Sequence, residues 1–310
     1  MIDHRAAVLG YYWKMHKTKA NFKFKRWFAA CVVLFCVMAW PPLAEAAKIR
    51  YVFTSWDGPA LKVYATRPVG LAPDRPVVFV MHGVNRNAGE YRDQWHDLAI
   101  EHDFMLVVPE FSDRDFPGPE GYNLGNVFNG PGAVNPEANW SYSAIEAIFD
   151  DVRSRFGLKV ETYSLYGHSA GAQFVHRFIF HVPQARVNRI VAANAGWYMM
   201  PDFELAFPYG LKGSVIDQER LASGLQLPVT ILLGTEDSDP DHPNLRRTPE
   251  AMNQGPHRLA RGQAFFDAAR EAAVQLDVPF NWSLEWVEGA GHDNQLMAPA
   301  AVPFLIGETP

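Results

Sequence analysis

The chain has almost no cysteine. Its 310 residues include two, Cys31 and Cys36, and both lie within the first 46 residues. The remainder has no thiol, which excludes disulfide bonds, a cysteine nucleophile and a cysteine-ligated metal there. Internal repeats and low-complexity tracts are also absent, and the length suits one large domain with its own core.

Positive charge is scarce after residue 46. Residues 47–310 carry 21 Lys and Arg against 32 Asp and Glu, a net charge of −11, whereas the whole chain has −6. No basic patch or stripe stands out in this acidic sequence. Because nucleic acid is bound mainly through its phosphates, we expect it not to be a partner.

The first 46 residues have the three parts of a secretory signal peptide. A basic stretch precedes 14 consecutive apolar residues, Trp27 to Trp40, and Ala44-Glu45-Ala46 resembles a cleavage site. Fourteen residues are fewer than the roughly 20 that span a bilayer as a helix. We therefore expect residues 1–46 to be a signal peptide, and the mature domain, 47–310, to be periplasmic or secreted. An uncleaved N-terminal anchor is the alternative, and only through it would the protein contact a membrane.

After this leader, apolar runs of strand length alternate with helical patterns. Residues 49–55 and 61–66 flank the turn Trp56-Asp57-Gly58-Pro59 and predict a hairpin. Further buried strands are predicted at 76–81, 104–108, 162–166, 189–193, 229–233 and 282–287. Helices are predicted around 91–99, from Ser143 to Gly157, at 170–181 and at 259–276. The alternation predicts an α/β fold, a three-layer α/β/α sandwich with a mostly parallel central sheet.

Two long segments interrupt this alternation at the carboxyl ends of predicted strands. Residues 111–140 are rich in Gly, Pro and Asn, and residues 197–227 are an insertion that begins with aromatic and Met side chains. Ligands of open α/β sheets bind at this edge. We expect the insertion to be a small cap beside the site.

Ser169 is the candidate nucleophile. It lies in Gly167-His168-Ser169-Ala170-Gly171, between a predicted strand and a predicted helix, which is the context of a G-x-S-x-G elbow. A serine hydroxyl needs a base to take its proton, and His292 follows the last predicted strand. That base needs an acid to hold its tautomer, and the loop after residues 229–233 offers several. The acidic candidates there are Glu236, Asp237, Asp239 and Asp241.

These motifs resemble the α/β-hydrolase superfamily over residues 49–310. The stretch from Met81 to Ala88, Met-His-Gly-Val-Asn-Arg-Asn-Ala, looks like bacterial esterases of the polyhydroxybutyrate-depolymerase-like type. The resemblance implies the order Ser, Asp, His, and it places the acid at Asp237, three residues beyond the strand-ending Gly234. It implies hydrolysis of a carboxylic ester without a cofactor.

The same resemblance implies an oxyanion hole made by the backbone N–H groups of Val84 and Ala170. His82, Gly83 and His168 would then border the substrate, with Gly83 allowing a close approach. The turn after Gly83 is not glycine-rich, so it differs from the lipase type that has three glycines there.

No metal site is expected. Asp237-x-Asp239-x-Asp241 imitates the start of a calcium loop, but His242 stands at the position of its glycine and Thr248 at that of its glutamate.

The start of the insertion suggests a substrate preference. Trp197, Tyr198 and Phe207 would form an apolar wall beside Ser169, adaptable through the neighbouring Met residues. Burial of an acyl chain gains roughly 0.8 kcal/mol per CH₂, so esters with hydrophobic acyl groups are the expected substrates. The aromatic residues of the earlier loop that would face this wall are Phe116, Tyr122 and Phe128. The alternative is that all these side chains only pack the insertion against the sheet.

We therefore predict a serine hydrolase that cleaves a small-molecule or polymeric ester through an acyl-enzyme on Ser169. A serine peptidase or amidase, an acyltransferase, and a binding protein on an inactive hydrolase scaffold are the alternatives. Arg86, beside the turn at Gly83, is expected to form a structural salt bridge rather than to bind a substrate carboxylate.

Overall fold

A computed structural model describes residues 46–130 and 132–308. The predicted signal peptide lies outside the described residues, apart from Ala46. Among the described residues, no helix combines the length and apolarity that crossing a bilayer requires.

Within residues 46–130 and 132–308, eight strands form one sheet in the order β1-β2-β4-β3-β5-β6-β7-β8. β1 pairs antiparallel with β2, and β2 antiparallel with β4, whereas all the other neighbours are parallel. The strands are β1 (Ala47–Phe53), β2 (Leu61–Arg67), β3 (Val77–Met81), β4 (Met105–Glu110), β5 (Tyr163–His168), β6 (Val187–Ala193), β7 (Val229–Gly234) and β8 (Trp282–Val287). The predicted hairpin and the six later strands are all present, with ends shifted by at most a few residues.

In the part of the chain that the structure describes, eight α-helices connect or flank these strands. They are α1 (Ala88–Glu101), α2 (Gly118–Gly121), α3 (Ser143–Phe156), α4 (Ala170–His181), α5 (Gln218–Leu225), α6 (Pro249–Gln254), α7 (Arg258–Gln275) and α8 (Asn294–Ile306). Sequence patterns did not indicate α2, α5, α6 or α8. Two are very short, α5 lies inside the insertion, and α8 contains Pro299 and Pro303, which disfavour helix in its interior.

Both faces of the sheet are covered, and the central strands β3, β5 and β7 are accordingly buried at every position. Along β3, Val78 and Val80 face one core, which α1 and α8 cover, while Phe79 and Met81 face the other. Helices α3, α4 and α7 contribute to this second core. Alternating side chains of one strand thus fill two separate cores, as the two-residue period of a strand requires. The predicted three-layer α/β/α sandwich is confirmed.

The sheet brings the ends of β3 and β5 together. Met81, the last residue of β3, pairs with Gly167 near the end of β5. β4 lies on one side of β3 and β5 lies on the other, so the order in which successive strands are added to the sheet reverses at β3. Crevices at such reversals are the usual ligand sites of open α/β sheets. The turn at residues 82–86 and the turn at Ser169 both open into this crevice.

Candidate active site

Ser169 occupies a sharp turn between β5 and α4. Its backbone lies at φ 59° and ψ −115°, a strained conformation for a residue with a side chain. The turn is possible because its neighbours are glycines: a Cβ on Gly167 would overlap the backbone of Gly171, and a Cβ on Gly171 would overlap the carbonyl of Met81. The Ser169 N–H donates to the carbonyl of Ala193 at 3.0 Å. The hydroxyl is thereby presented at the open edge of the sheet.

A line of hydrogen bonds joins Ser169, His292 and Asp237. His292 Nδ1 lies 2.7 Å from Asp237 Oδ2, and His292 Nε2 lies 3.0 Å from Ser169 Oγ. An ionised carboxylate only accepts, so the ring proton belongs on Nδ1, where it is donated to Asp237. Nε2 then accepts from the Ser169 hydroxyl. This arrangement suits transfer of the hydroxyl proton to the imidazole.

The structure distinguishes among the four acidic candidates. Asp237 is 3% exposed and contacts His292, whereas the other three acids are exposed. Burial by itself would raise the pKa of Asp237. The hydrogen bond and charge of His292 and the charge of Arg258 outweigh burial, and the pKa of this carboxyl lies below its ordinary value. Asp237 is therefore held as a carboxylate.

The two proposed oxyanion donors, the N–H groups of Ala170 and Val84, belong to residues that line the same cavity as Ser169. Ala170 is the first residue of α4, so its N–H has no intrahelical partner, and the positive end of the helix dipole lies there. Within the described residues, the N–H of Val84 also has no hydrogen-bond acceptor. A Cβ placed on Gly83 would lie 3.9 Å from the Ser169 Cβ, so this turn passes close to the serine. Val84, Gly83 and Ala170 all line the cavity that contains Ser169.

His168 and Tyr91 also line this cavity, as expected for His168, although both side chains are nearly buried. The His168 ring is 4.7 Å from the His292 ring, and its Nδ1 is 3.1 Å from the Tyr91 hydroxyl. Burial, together with the nearby charges of His292 and Arg258, lowers the pKa of His168 well below its ordinary value, so the ring is neutral. The Tyr91 hydroxyl also lies beside Gly83. Tyr91 therefore connects the turn after β3 to the serine turn.

His82 anchors the turn after β3 and does not reach the substrate cavity. Its Nε2 accepts from the Phe111 N–H at 3.1 Å, which leaves Nδ1–H to donate to the Gly83 carbonyl at 3.0 Å. The ring stacks on Tyr122 at 4.6 Å. Burial lowers the pKa of His82 to about 3. The expectation that His82 borders the substrate is corrected, because its ring is fully buried.

The cavity at Ser169 has a volume of about 700 Å³, and its wall combines polar and apolar surface in similar amounts. Its cationic side chains are Arg86, Arg246 and Arg258, and its amides include Asn85, Asn87, Gln94, Asn123, Gln173, Asn244 and Asn294. Trp197 is part of the wall, as expected. No other residue of the insertion, 197–227, lines the cavity, so the predicted wall of hydrophobic side chains is not formed around Ser169.

Tyr198 and Phe207 are the parts of that prediction that the structure corrects. The Tyr198 ring packs on Phe265 at 4.5 Å within the core beneath the cavity, and Phe207 packs on Phe128 at 5.0 Å. Neither residue lines the cavity, nor do Phe116, Tyr122 and Phe128. These aromatic side chains mainly pack the insertion and the earlier loop against the sheet, which was the alternative considered.

Arg86 holds a loop in place. Its guanidinium donates to the carbonyls of Phe111 at 2.8 Å and Gly118 at 2.7 Å, and it lies 4.4 Å from the Tyr122 ring centroid. Asp113 is 3.7 Å away. The main partners are thus backbone carbonyls, with the expected salt bridge a minor addition.

Among the described residues, no group of three or more His, Cys, Asp or Glu side chains is placed to share a metal ion.

No protein-family model and no curated protein matches this chain. Two solved structures match most of it. Poly(aspartic acid) hydrolase-1 from Sphingomonas sp. KT-1 is 44% identical with a TM-score of 0.83, over 84% of this chain and 99% of that one. LpqC, the poly(3-hydroxybutyrate) depolymerase from Bordetella parapertussis, is 39% identical with a TM-score of 0.79, over 86% and 91%. The chain belongs to the α/β-hydrolase family.

This hydrolase shares its fold with much more distant enzymes. The S-formylglutathione hydrolase from Agrobacterium tumefaciens is 14% identical with a TM-score of 0.52, over 83% of this chain and 92% of that one. At that identity the likeness concerns the fold alone. The family that the sequence motifs resembled is thus confirmed by the two closer structures.

Sequence reasoning missed Arg258 and His242. Arg258 is 1% exposed; its Nη1 donates to Asp237 Oδ1 at 3.1 Å, and its Nη2 lies 3.1 Å from His242 Nδ1. His242 in turn places its ring 5.4 Å from that of His292. No local pattern marks an arginine 21 residues beyond the acid, at the start of a helix, as that acid's partner. Only the fold brings the two residues together in this hydrolase.

Proposed function

We propose that this hydrolase cleaves carboxylic esters through an acyl-enzyme on Ser169. The observation that supports the proposal is the continuous hydrogen-bonded line from Asp237 through His292 to Ser169 Oγ, at the wall of an open cavity. A hydroxyl with its proton already directed at a base is the arrangement that nucleophilic catalysis requires.

The reaction follows from these contacts. His292 Nε2 takes the proton as Ser169 Oγ bonds to the acyl carbon, and the N–H groups of Val84 and Ala170 donate to the resulting oxyanion. Such donors contribute about 3 kcal/mol each. The intermediate collapses as His292 gives its proton to the leaving alcohol, and water then releases the acid by the same route. Asp237 keeps the imidazole oriented and stabilises its protonated form throughout.

The test is hydrolysis of p-nitrophenyl butyrate together with covalent labelling by a fluorophosphonate probe. Ser169→Ala should lose the label and lower kcat by about a thousandfold or more. Ser154→Ala, on the exposed side of α3, is the matched control and should retain both. Turnover at the wild-type rate in Ser169→Ala would contradict the mechanism.

Amide hydrolysis is the second candidate, and the 44% identical poly(aspartic acid) hydrolase-1 favours it, since the units of poly(aspartic acid) are joined by amide bonds. The 39% identical LpqC acts on poly(3-hydroxybutyrate), a polyester. Comparing p-nitrophenyl butyrate with p-nitrobutyranilide, which share their acyl group, separates the two. Because the activated ester is intrinsically the more reactive of the two, cleavage of the ester without measurable cleavage of the anilide supports the first proposal, and measurable turnover of the anilide that is lost in Ser169→Ala supports the second.

We propose further that residues 1–46 are a signal peptide and that the protein is exported. The support is the charge and hydropathy pattern of this segment, with β1 beginning at Ala47. Mass spectrometry of protein recovered from the periplasm or medium should find an N-terminus at or near Ala47. A chain that retains residues 27–46 and sediments with membranes would instead support an anchor.

A further inference from the structure

Arg246 is a cation in the cavity wall whose hydrogen-bonding capacity is mostly unused. It lies on the loop between β7 and α6 and lines the same cavity as Ser169. Its Nε donates to the Tyr209 hydroxyl. Among residues 46–130 and 132–308, its two terminal nitrogens donate no hydrogen bond and no acidic side chain pairs with it. A guanidinium has five donors in a planar fork that matches a carboxylate.

The guanidinium of Arg246 packs against two aromatic rings. Its guanidinium lies 4.9 Å from the ring centroid of Trp197 and 5.4 Å from that of Tyr209. The Tyr209 hydroxyl is also 2.7 Å from Thr248 Oγ1, and the buried Arg177 lies 4.3 Å from the Trp197 ring. Aromatic rings therefore position the guanidinium, as expected where a fork must be presented to a ligand.

A second buried arginine fixes the backbone of this group. Arg261, which is fully buried, donates to the carbonyls of Gly196 at 2.6 Å, Gly255 at 2.9 Å and Arg246 at 3.0 Å. Gly196 directly precedes Trp197. Arg261 thus ties together the two chain segments that carry the aromatic ring and the cation. The backbone that carries Trp197 and Arg246 is therefore held by buried hydrogen bonds, unlike that of a side chain on an exposed surface loop.

The other charges of the cavity already have partners. Arg258 pairs with Asp237, and Arg86 donates to two backbone carbonyls beside Asp113. Asp293 caps α8 by accepting from the Gln295 N–H at 2.9 Å. Arg246 is therefore the cavity cation that has no acidic partner within the described residues. Although the whole chain has a net charge of −6, this group attracts an anionic group of a ligand within the cavity.

We propose that Arg246 binds a carboxylate of the substrate, so that this hydrolase prefers esters carrying a free carboxylate over neutral esters of the same size. The inference rests on the proposed ester hydrolysis at Ser169 and specifies its substrate class. A charge-assisted hydrogen bond to a guanidinium corresponds to about a tenfold to hundredfold effect on kcat/KM.

Matched pairs of esters test the proposal on either side of the scissile bond. On the acyl side, the mono-p-nitrophenyl ester of adipic acid is compared with p-nitrophenyl heptanoate. On the alcohol side, 4-butyryloxybenzoate is compared with its methyl ester. Wild-type protein should favour the anionic member of at least one pair by about tenfold or more. Arg246→Gln should lower that anionic-to-neutral ratio by a similar factor, and Arg246→Lys should restore part of it.

Arg247→Gln is the control, because this neighbouring arginine points to the Pro240 carbonyl and Asp241 and does not line the cavity. Its ratio should equal that of wild type. A thermal melt of each variant separates loss of recognition from loss of folding, and the wild-type ratio tests the proposal without any variant. Equal rates on both members of both pairs in wild type, or a ratio unchanged in a folded Arg246→Gln, would overturn the inference and leave ester hydrolysis intact. Failure to cleave any ester would instead contradict the proposed function.

Discussion

Replacing Arg258 by methionine removes a guanidinium that binds Asp237 while keeping a side chain of similar length. Arg258 and Asp237 are 1% and 3% exposed, and they are joined at 3.1 Å. The substitution leaves Asp237 Oδ1 without its charged donor, whereas Oδ2 keeps its bond to His292. The perturbation therefore weakens the support of the acid without breaking the acid's contact with the base.

Two effects set the size of the expected loss. Removing one partner of a buried ion pair destabilises proteins by about 3–5 kcal/mol. Here the loss of stability should be about 3 kcal/mol, near the lower end of that range. The reason is that Arg258 Nε is buried without a partner among the described residues, so removing this nitrogen recovers part of the cost. Loss of the charge-assisted bond from Arg258 to Asp237 removes about 1.5–3 kcal/mol of interaction. It should lower kcat by about tenfold to a hundredfold, because this bond helps Asp237 to orient His292.

Urea unfolding and steady-state kinetics on p-nitrophenyl butyrate measure both effects. Arg270→Met is the control on the same helix, because Arg270 and its partner Asp267 are both well exposed. It should change the free energy of unfolding by less than about 0.5 kcal/mol and leave kcat unchanged. If Arg258→Met unfolds at the wild-type urea concentration and keeps its kcat within twofold, the assigned role of Arg258 is wrong. A loss of stability alone would make it a purely structural residue.

Three further predictions use other parts of the site. Gly171→Ala should disrupt the serine turn and lower kcat by about a hundredfold, since its Cβ would overlap the carbonyl at the end of β3. Gly291→Ala is the control: its Cβ meets open space, so kinetics and thermal stability should change little. Tyr91→Phe removes the hydroxyl bonded to His168 and should lower kcat several-fold with KM unchanged; a change in KM alone would argue against a link between the two turns. The folded-state pKa of Asp237 is depressed, so its contribution to stability is complete above its unfolded pKa of about 4 and is lost as pH falls through the lower folded value. In urea unfolding at about pH 2–6, Asp237→Asn should therefore reduce the fall in the free energy of unfolding that accompanies decreasing pH. An unchanged fall would assign the acid sensitivity to other groups.

Local patterns in the sequence determined much of this hydrolase. The buried strands were visible as continuous apolar runs, and the serine turn as two glycines between a strand and a helix. Each of these signals spans fewer than about ten residues, because backbone conformation and strand burial depend mainly on near neighbours. His292 was found differently, from its place after the last predicted strand in the chain order of this fold.

Tertiary structure decided which partners similar side chains meet. Four acids share one loop, and the family resemblance alone singled out Asp237; the fold buries this acid against His292 and Arg258 and leaves the other three exposed. Aromatic residues at the start of the insertion read alike in sequence, yet Trp197 lines the cavity while Tyr198 enters the core. The type of an apolar or acidic residue predicts that it will be buried or paired. Which residue it contacts depends on segments that are distant in sequence and are brought together by folding.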